Sequence, residues 1–186
     1  MPSGHILQSY VYVDGAYLRE EGARISIPFP NPKTMVEWIV QAIQGIGGPV
    51  RHRRTSFYDA EPSDQPSSPA LEQYWEFIED QPDTDLRFGE LRGKPRRQRQ
   101  KGVDVLLAVD MLSASFRQVF DIAVLVAGDA DFVPLVHEVR RLGVTVVVAG
   151  VTRSMARELQ IAADRFVALD SVSCPAWATE PFEPKT

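Results

Sequence analysis

One cysteine, Cys174, stands in a sequence of 186 residues, and a single thiol excludes any internal disulfide framework. No Cys/His cluster has the spacing of a zinc site. No apolar run approaches the ~20 residues that a membrane-spanning helix needs; the longest, Val144 to Val151, contains Thr145 and Gly150. The opening residues, MPSGHILQSY, lack the basic start and apolar stretch of a secretory signal. These absences lead us to expect a cytoplasmic protein. No GxxxxGK[ST] phosphate loop is present. His5, His52 and His137 are not matched to a serine or cysteine nucleophile, so we expect no chemistry from them.

What is present describes an ordinary globular chain, 44% hydrophobic and 24% charged, long enough for one domain with a sizeable core. A formal net charge of −5 argues against binding nucleic acid by bulk charge alone. It leaves open a local basic surface, because distribution matters more than the sum.

Apolar periodicity predicts strands alternating with helices. Tyr10 to Val13 reads as a strand ending in a turn at Asp14-Gly15. Residues 34–44, 71–79, 103–116, 132–142 and 154–163 read as helices. Residues 50–59, 85–91, 121–127, 144–149 and 165–169 read as strands. DIAVLVA, residues 121–127, is a continuous apolar run of the kind buried on both faces of a parallel sheet. The expected fold is therefore a single α/β domain with a mostly parallel central sheet flanked by helices. We place it at residues 8–170, with residues 171–186, which hold three prolines and no periodicity, as a C-terminal tail.

In open α/β sheets, sites form where loops leave the carboxyl ends of strands. Asp14 follows the first strand, and Asp129 and Asp131 follow the strand ending at Ala127. Asp104 lies where Lys101-Gly-Val-Asp104 enters a helix. Each acid also has an ordinary explanation: aspartate caps helices and makes turns with glycine. Converging carboxylates repel one another unless a cation neutralises them, and hard oxygen donors suit Mg²⁺ or Mn²⁺. On these residues alone, a metal site and a set of caps and turns remain equally open.

Taken together, YVYVDGAYL (10–18), KGVDVLLAVDML (101–112), VLVAGDADFVPLV (124–136) and ADRFVALD (163–170) resemble the four signature blocks of the NYN domain family. These are PIN-like ribonucleases, and the likeness is to their bacterial LabA-like branch. The resemblance spans roughly residues 8–170 with the blocks in family order. It implies a PIN-like α/β fold that cleaves RNA with Mg²⁺ or Mn²⁺, bound by Asp14, Asp104, Asp129 and Asp131. Asp110 lies in the second block but on a different helix face from Asp104, a weaker metal candidate. Many members carry asparagine where this chain has Tyr17. A tyrosine there still donates a hydrogen bond, but with a different reach toward substrate.

The segment from Arg92 to Lys101 holds six basic residues and no acid and runs straight into the Asp104 block. Arg96, Arg97, Arg99 and Lys101 are candidates to hold a single-stranded RNA backbone while metals act on one phosphate; an ordinary solvated loop is the plainer account. Arg51, Arg53 and Arg54 read as an exposed strand end. Tyr12, Phe57, Tyr58, Trp75 and Phe132 could stack bases, but their apolar periodicity fits core positions better. Against a ribonuclease stands a non-catalytic RNA- or protein-binding module of the same fold, serving regulation or defence. A phosphatase of the haloacid dehalogenase type would need an acid at the place of Ala16, and a Toprim-like site a glutamate at that of Asp14. A homodimer is compatible with all of these readings.

Overall fold

Six strands and six helices alternate along the chain in a computed structural model that describes residues 5–60, 67–89, 102–170 and 181–185. The strands are β1 (Leu7–Asp14), β2 (Val50–Ala60), β3 (Thr84–Gly89), β4 (Ile122–Val126), β5 (Thr145–Gly150) and β6 (Arg165–Ala168). The helices are α1 (Gly15–Arg24), α2 (Pro32–Ala42), α3 (Pro69–Glu79), α4 (Val103–Phe116), α5 (Val133–Arg141) and α6 (Arg157–Ala162). Short 3₁₀ turns, Ala130–Phe132 and Thr152–Ser154, precede the last two helices.

All six strands are parallel, in the order β3-β2-β1-β4-β5-β6. Strand alternation divides the interior in two. Val11, Val13, Val124, Val126 and Val147 face a layer built by α1, α2 and α3. Tyr12, Ala123, Leu125, Val146 and Val148 face a second layer of α4, α5 and α6. Every residue of β4 is buried, which is why that strand reads as an unbroken apolar run. The order reverses between β1 and β4: β2 and β3 build outward on one side, β5 and β6 on the other. That break is the topological switch point, where adjacent loops diverge and leave a crevice at the strands' carboxyl ends.

The expected α/β domain with a mostly parallel sheet is thus present, the sheet being wholly parallel, with one helix not foreseen. Gly15 begins α1 instead of ending a turn. Asp14 closes β1 and caps that helix, its Oδ1 accepting from the Tyr17 N–H at 3.1 Å. Residues 154–163 shorten to a 3₁₀ turn followed by a two-turn helix. The end of the tail is also anchored. Phe182 packs on Phe29, Tyr74 and Phe77, and its N–H donates to the Phe29 carbonyl at 2.9 Å.

Candidate active site

At the carboxyl end of β1, Asp14 is half-buried at the switch point. Burial pushes its carboxyl up to about 6 despite the Tyr17 N–H, and the negative charges of Asp104 and Asp59 act in the same direction. Across the crevice, β4 ends and the chain continues through Ala127-Gly128 into exposed Asp129. Asp129 caps the 3₁₀ turn, with Oδ1 accepting from the Asp131 N–H at 3.0 Å. Asp104 lies in the first turn of α4, whose N-terminus has no side-chain cap. The cap reading thus describes Asp14 and Asp129 but not Asp104. Partial desolvation, then the charges of Asp129 and Asp131, push the Asp104 carboxyl upward. Asp104 is therefore the acid linked electrostatically to all three others.

Asp110 faces elsewhere. It accepts from the Tyr58 hydroxyl at 3.0 Å and pairs with Arg87 Nε at 3.2 Å. Six residues along a helix turn it away from the Asp104 side, as the helical period requires.

Tyr17, in the first turn of α1, crosses to the other half of the sheet. Its hydroxyl accepts from the Val151 N–H at 2.9 Å and lies 3.3 Å from Ser154 Oγ. Its ring occupies the space over Gly128, where an added β-carbon would fall 2.5 Å away. Gly150 likewise leaves room for its hydroxyl, 2.8 Å from where a β-carbon would stand. The tyrosine ties α1 to the exits of β4 and β5.

Two functional neighbours were not anticipated. Asp59, near the end of β2, is buried beside Asp14. Its carboxylate is held by both terminal nitrogens of the Arg19 guanidinium, by Trp75 Nε1 at 2.8 Å and by the Ala60 N–H at 2.8 Å. Arg19 neutralises Asp59 and fixes the first turns of α1 against β2. In sequence Asp59 stands in a strand with many polar residues, and only the folded chain brings Arg19 and Trp75 to it.

Arg96, Arg97, Arg99 and Lys101, the proposed backbone-holding group, lie outside the described residues. Arg51, Arg53 and Arg54 occupy the amino-terminal half of β2, away from the acids, and Arg54 pairs with Asp85 at 2.6 Å. Tyr12, Phe57, Tyr58, Trp75 and Phe132 are all buried, which makes them core.

The donors are carboxylates, suited in kind to Mg²⁺ or Mn²⁺. Among the described residues, however, no three His, Cys, Asp or Glu side chains are close enough to hold one ion together. A hydrated Mg²⁺ does not require such a cage, since it keeps several waters and commonly binds through one or two carboxylates plus substrate phosphate. The carboxylates present suit that arrangement in kind.

A doubly wound parallel sheet with acids at its switch point is the architecture of the PIN-like nuclease class. The chain belongs to the NYN domain family, whose model matches residues 9–170. No curated protein matches the sequence. Its fold is similar to the crystal structure of a protein of unknown function from Vibrio parahaemolyticus. That likeness has a TM-score of 0.71 and 22% identity, and covers 92% of this chain and 98% of the other. A structure from Parabacteroides merdae overlaps weakly, with a TM-score of 0.34, 8% identity, and coverage of 89% and 33% of the two chains. Among the described residues no helix is long and apolar enough to cross a membrane.

Proposed function

We propose that the protein is a metal-dependent ribonuclease that hydrolyses RNA phosphodiester bonds. The observation carrying this reading is the placement of Asp14 at the end of β1 and of Asp129 and Asp131 in the turn leaving β4, with Asp104 and Asp131 lining one groove. Uncompensated acids in that position favour a divalent cation. Asp14, Asp104, Asp129 and Asp131 would supply the carboxylates, one or two of them to a hydrated Mg²⁺ or Mn²⁺ that also takes the substrate phosphate, and the ion when bound would activate water and stabilise the leaving oxygen. Asp14 and Asp129 each accept a backbone N–H on Oδ1, which fixes the orientation of both carboxylates. Tyr17 and the Arg19–Asp59 pair hold the ends of β1, β2 and β5 in register around the crevice. Arg96, Arg97, Arg99 and Lys101 supply the cations that grip single-stranded RNA. The family model supports a nuclease, and the composition supports a cytoplasmic one.

The second reading, an RNA-binding module without catalysis, is favoured by two observations. No three acids gather within reach of one ion among the described residues, and the Tyr17 hydroxyl is engaged by Val151 and Ser154. Incubating the protein with single-stranded RNA and Mn²⁺ or Mg²⁺, beside Asp129→Asn, separates the two. The ribonuclease cleaves and the variant binds without cleaving; binding without cleavage by the wild type under every divalent metal establishes the module instead.

A further inference from the structure

Helices α4 and α5 pack side by side, and both run back from the carboxyl edge of the sheet, with a groove of about 500 Å³ between them. The groove begins at Asp104 and Asp131. Val105, Val109 and Leu112 line it from α4, and Phe132, Pro134 and Leu135 from the α5 side. Val105 is 65% exposed and Val109 54%, so the groove leaves apolar surface open to solvent, the mark of a binding surface. Glu138 lines the far end, about 10 Å along α5 from Asp131 at the helical rise.

The lining selects which part of an RNA strand can enter. Among the described residues no lysine or arginine borders this groove, whereas three carboxylates do. Cations return only in the next cavity, where Glu138 is joined by Arg117 and Arg141. A phosphate therefore finds no partner inside the groove, except through a cation at its Asp104–Asp131 end. A base is different. It is uncharged and flat, it covers apolar side chains with its faces, and in a single strand its hydrogen-bonding edge is free. A phosphate held through a cation at the acids would lay its own nucleoside along the groove that starts there.

We infer that the α4–α5 groove is a nucleoside subsite beside the scissile phosphate, and that Glu138 selects guanine in it. The subsite rests on the ribonuclease reading, which supplies the phosphate that anchors the nucleoside. An ionised carboxylate only accepts hydrogen bonds, through two oxygens side by side. Arg141 donates to Glu138 Oε1, which leaves lone pairs on both oxygens. Of the four RNA bases, guanine alone presents two adjacent donors on its pairing edge, N1–H and the N2 amine. Adenine and cytosine set an acceptor beside their amine, and uracil flanks its single N–H with two carbonyls.

Fluorescence anisotropy on a uridine decamer with one central guanosine, inosine or uridine tests the subsite, in an Asp129→Asn background so that the strand stays whole. The guanosine strand is expected to bind about tenfold more tightly than the all-uridine strand, the discrimination of a good bidentate pair. Inosine, which lacks the N2 amine, is expected to fall between them. Glu138→Gln should erase the preference, because its amide turns a donor toward one of guanine's donors. Arg141→Gln should keep it, which separates the contact with the base from the ion pair on α5. Equal affinity for the three strands, or a preference that survives Glu138→Gln, overturns the subsite. So does a wild type that dimerises at assay concentrations while Val109→Glu does not, since the groove then belongs to a second copy. Cleavage by the wild type on the same strands judges the other reading. Guanine-selective binding with no cut under Mg²⁺ or Mn²⁺ sinks the ribonuclease and keeps the subsite, and cleavage indifferent to the base and to Glu138 does the reverse. No RNA binding at all overturns both.

Discussion

The ring of Tyr17 occupies the space over Gly128, where any β-carbon would come within 2.5 Å of it. Its hydroxyl meanwhile takes the N–H of Val151 beyond β5. This large side chain uses room that glycines leave at two strand exits. Tyr17→Phe would strip an acceptor from the Val151 N–H and destabilise the protein by about 1–3 kcal/mol. Gly128→Ala would force the ring out of place and cost more than an exposed loop substitution. Denaturant unfolding of the two variants checks both; a neutral Gly128→Ala would show that the ring is not held there.

Arg19 and Asp59 form a second tie beside the acids. Asp59 is 2% exposed, so removing its cation leaves a buried carboxylate supported only by Trp75 and the Ala60 N–H. Arg19→Met should therefore destabilise by about 3–5 kcal/mol. Adding Asp59→Asn should recover part of that loss, because the amide keeps an acceptor for Trp75 and removes the stranded charge. A double variant no more stable than Arg19→Met would mean that the aliphatic stem of Arg19, rather than its charge, is what matters.

The sheet was legible because β4 and β5 are buried on both faces and so spell unbroken apolar runs, and the GDAD turn marks where β4 ends. Helix α1 was not legible: Asp14-Gly15 is equally a turn signal, and GAYLREEGAR has glycine at its start and near its end and only a weak apolar stripe. Asp59 was hidden for a related reason. It lies in a strand with many polar residues, and burial of an acid depends on Arg19 and Trp75, which only the folded chain brings to it. Similarly, α4 is readable from sequence as a helix, but not which apolar face remains uncovered.

The raised Asp14 carboxyl makes stability depend on pH in a stated direction. With a folded value of about 6 against an ordinary 3.8, the native state holds its proton more tightly than the unfolded chain. The resulting stabilisation is fully present below the lower value and is lost as pH rises through the upper one. Asp14→Asn, which keeps a helix cap, should stabilise the metal-free protein near neutral pH by about 1–2 kcal/mol after allowing for its partial exposure. It should also flatten this pH dependence between the two values. Thermal melts from mildly acidic to neutral pH decide it, and an equally sloped variant would assign the titration to another group.

Divalent metal should reverse the charge penalty. An ion that binds only the folded state raises the melting midpoint, and the rise grows with the logarithm of its concentration above its Kd. Mn²⁺ or Mg²⁺ is expected to raise the wild-type midpoint at neutral pH, and Asp14→Asn or Asp131→Asn to blunt the rise. Asp110→Asn should leave the metal response intact, since that acid is committed to Tyr58 and Arg87. A shift unchanged in the Asp14 and Asp131 variants would point to their capping and turn roles alone.

The basic segment provides the last test, because it separates holding RNA from cutting it. If Arg96, Arg97 and Arg99 each contact one phosphate, each releases counterions on binding. The affinity of a single strand then falls with salt at a slope of about 0.7 per contact. Neutralising all three should lower that slope by about 2 and weaken binding across unrelated sequences alike, as backbone contacts carry no base information. Cleavage at saturating RNA should change little, since the aspartates at the switch point are untouched. Asp129→Asn should show the opposite split, with binding and its salt slope retained and cleavage lost. Affinity measured over a salt series, paired with single-turnover cleavage, reads both halves. A triple-arginine variant with the wild-type slope would remove this segment from the RNA-binding surface while leaving the acidic site to be judged by Asp129→Asn alone.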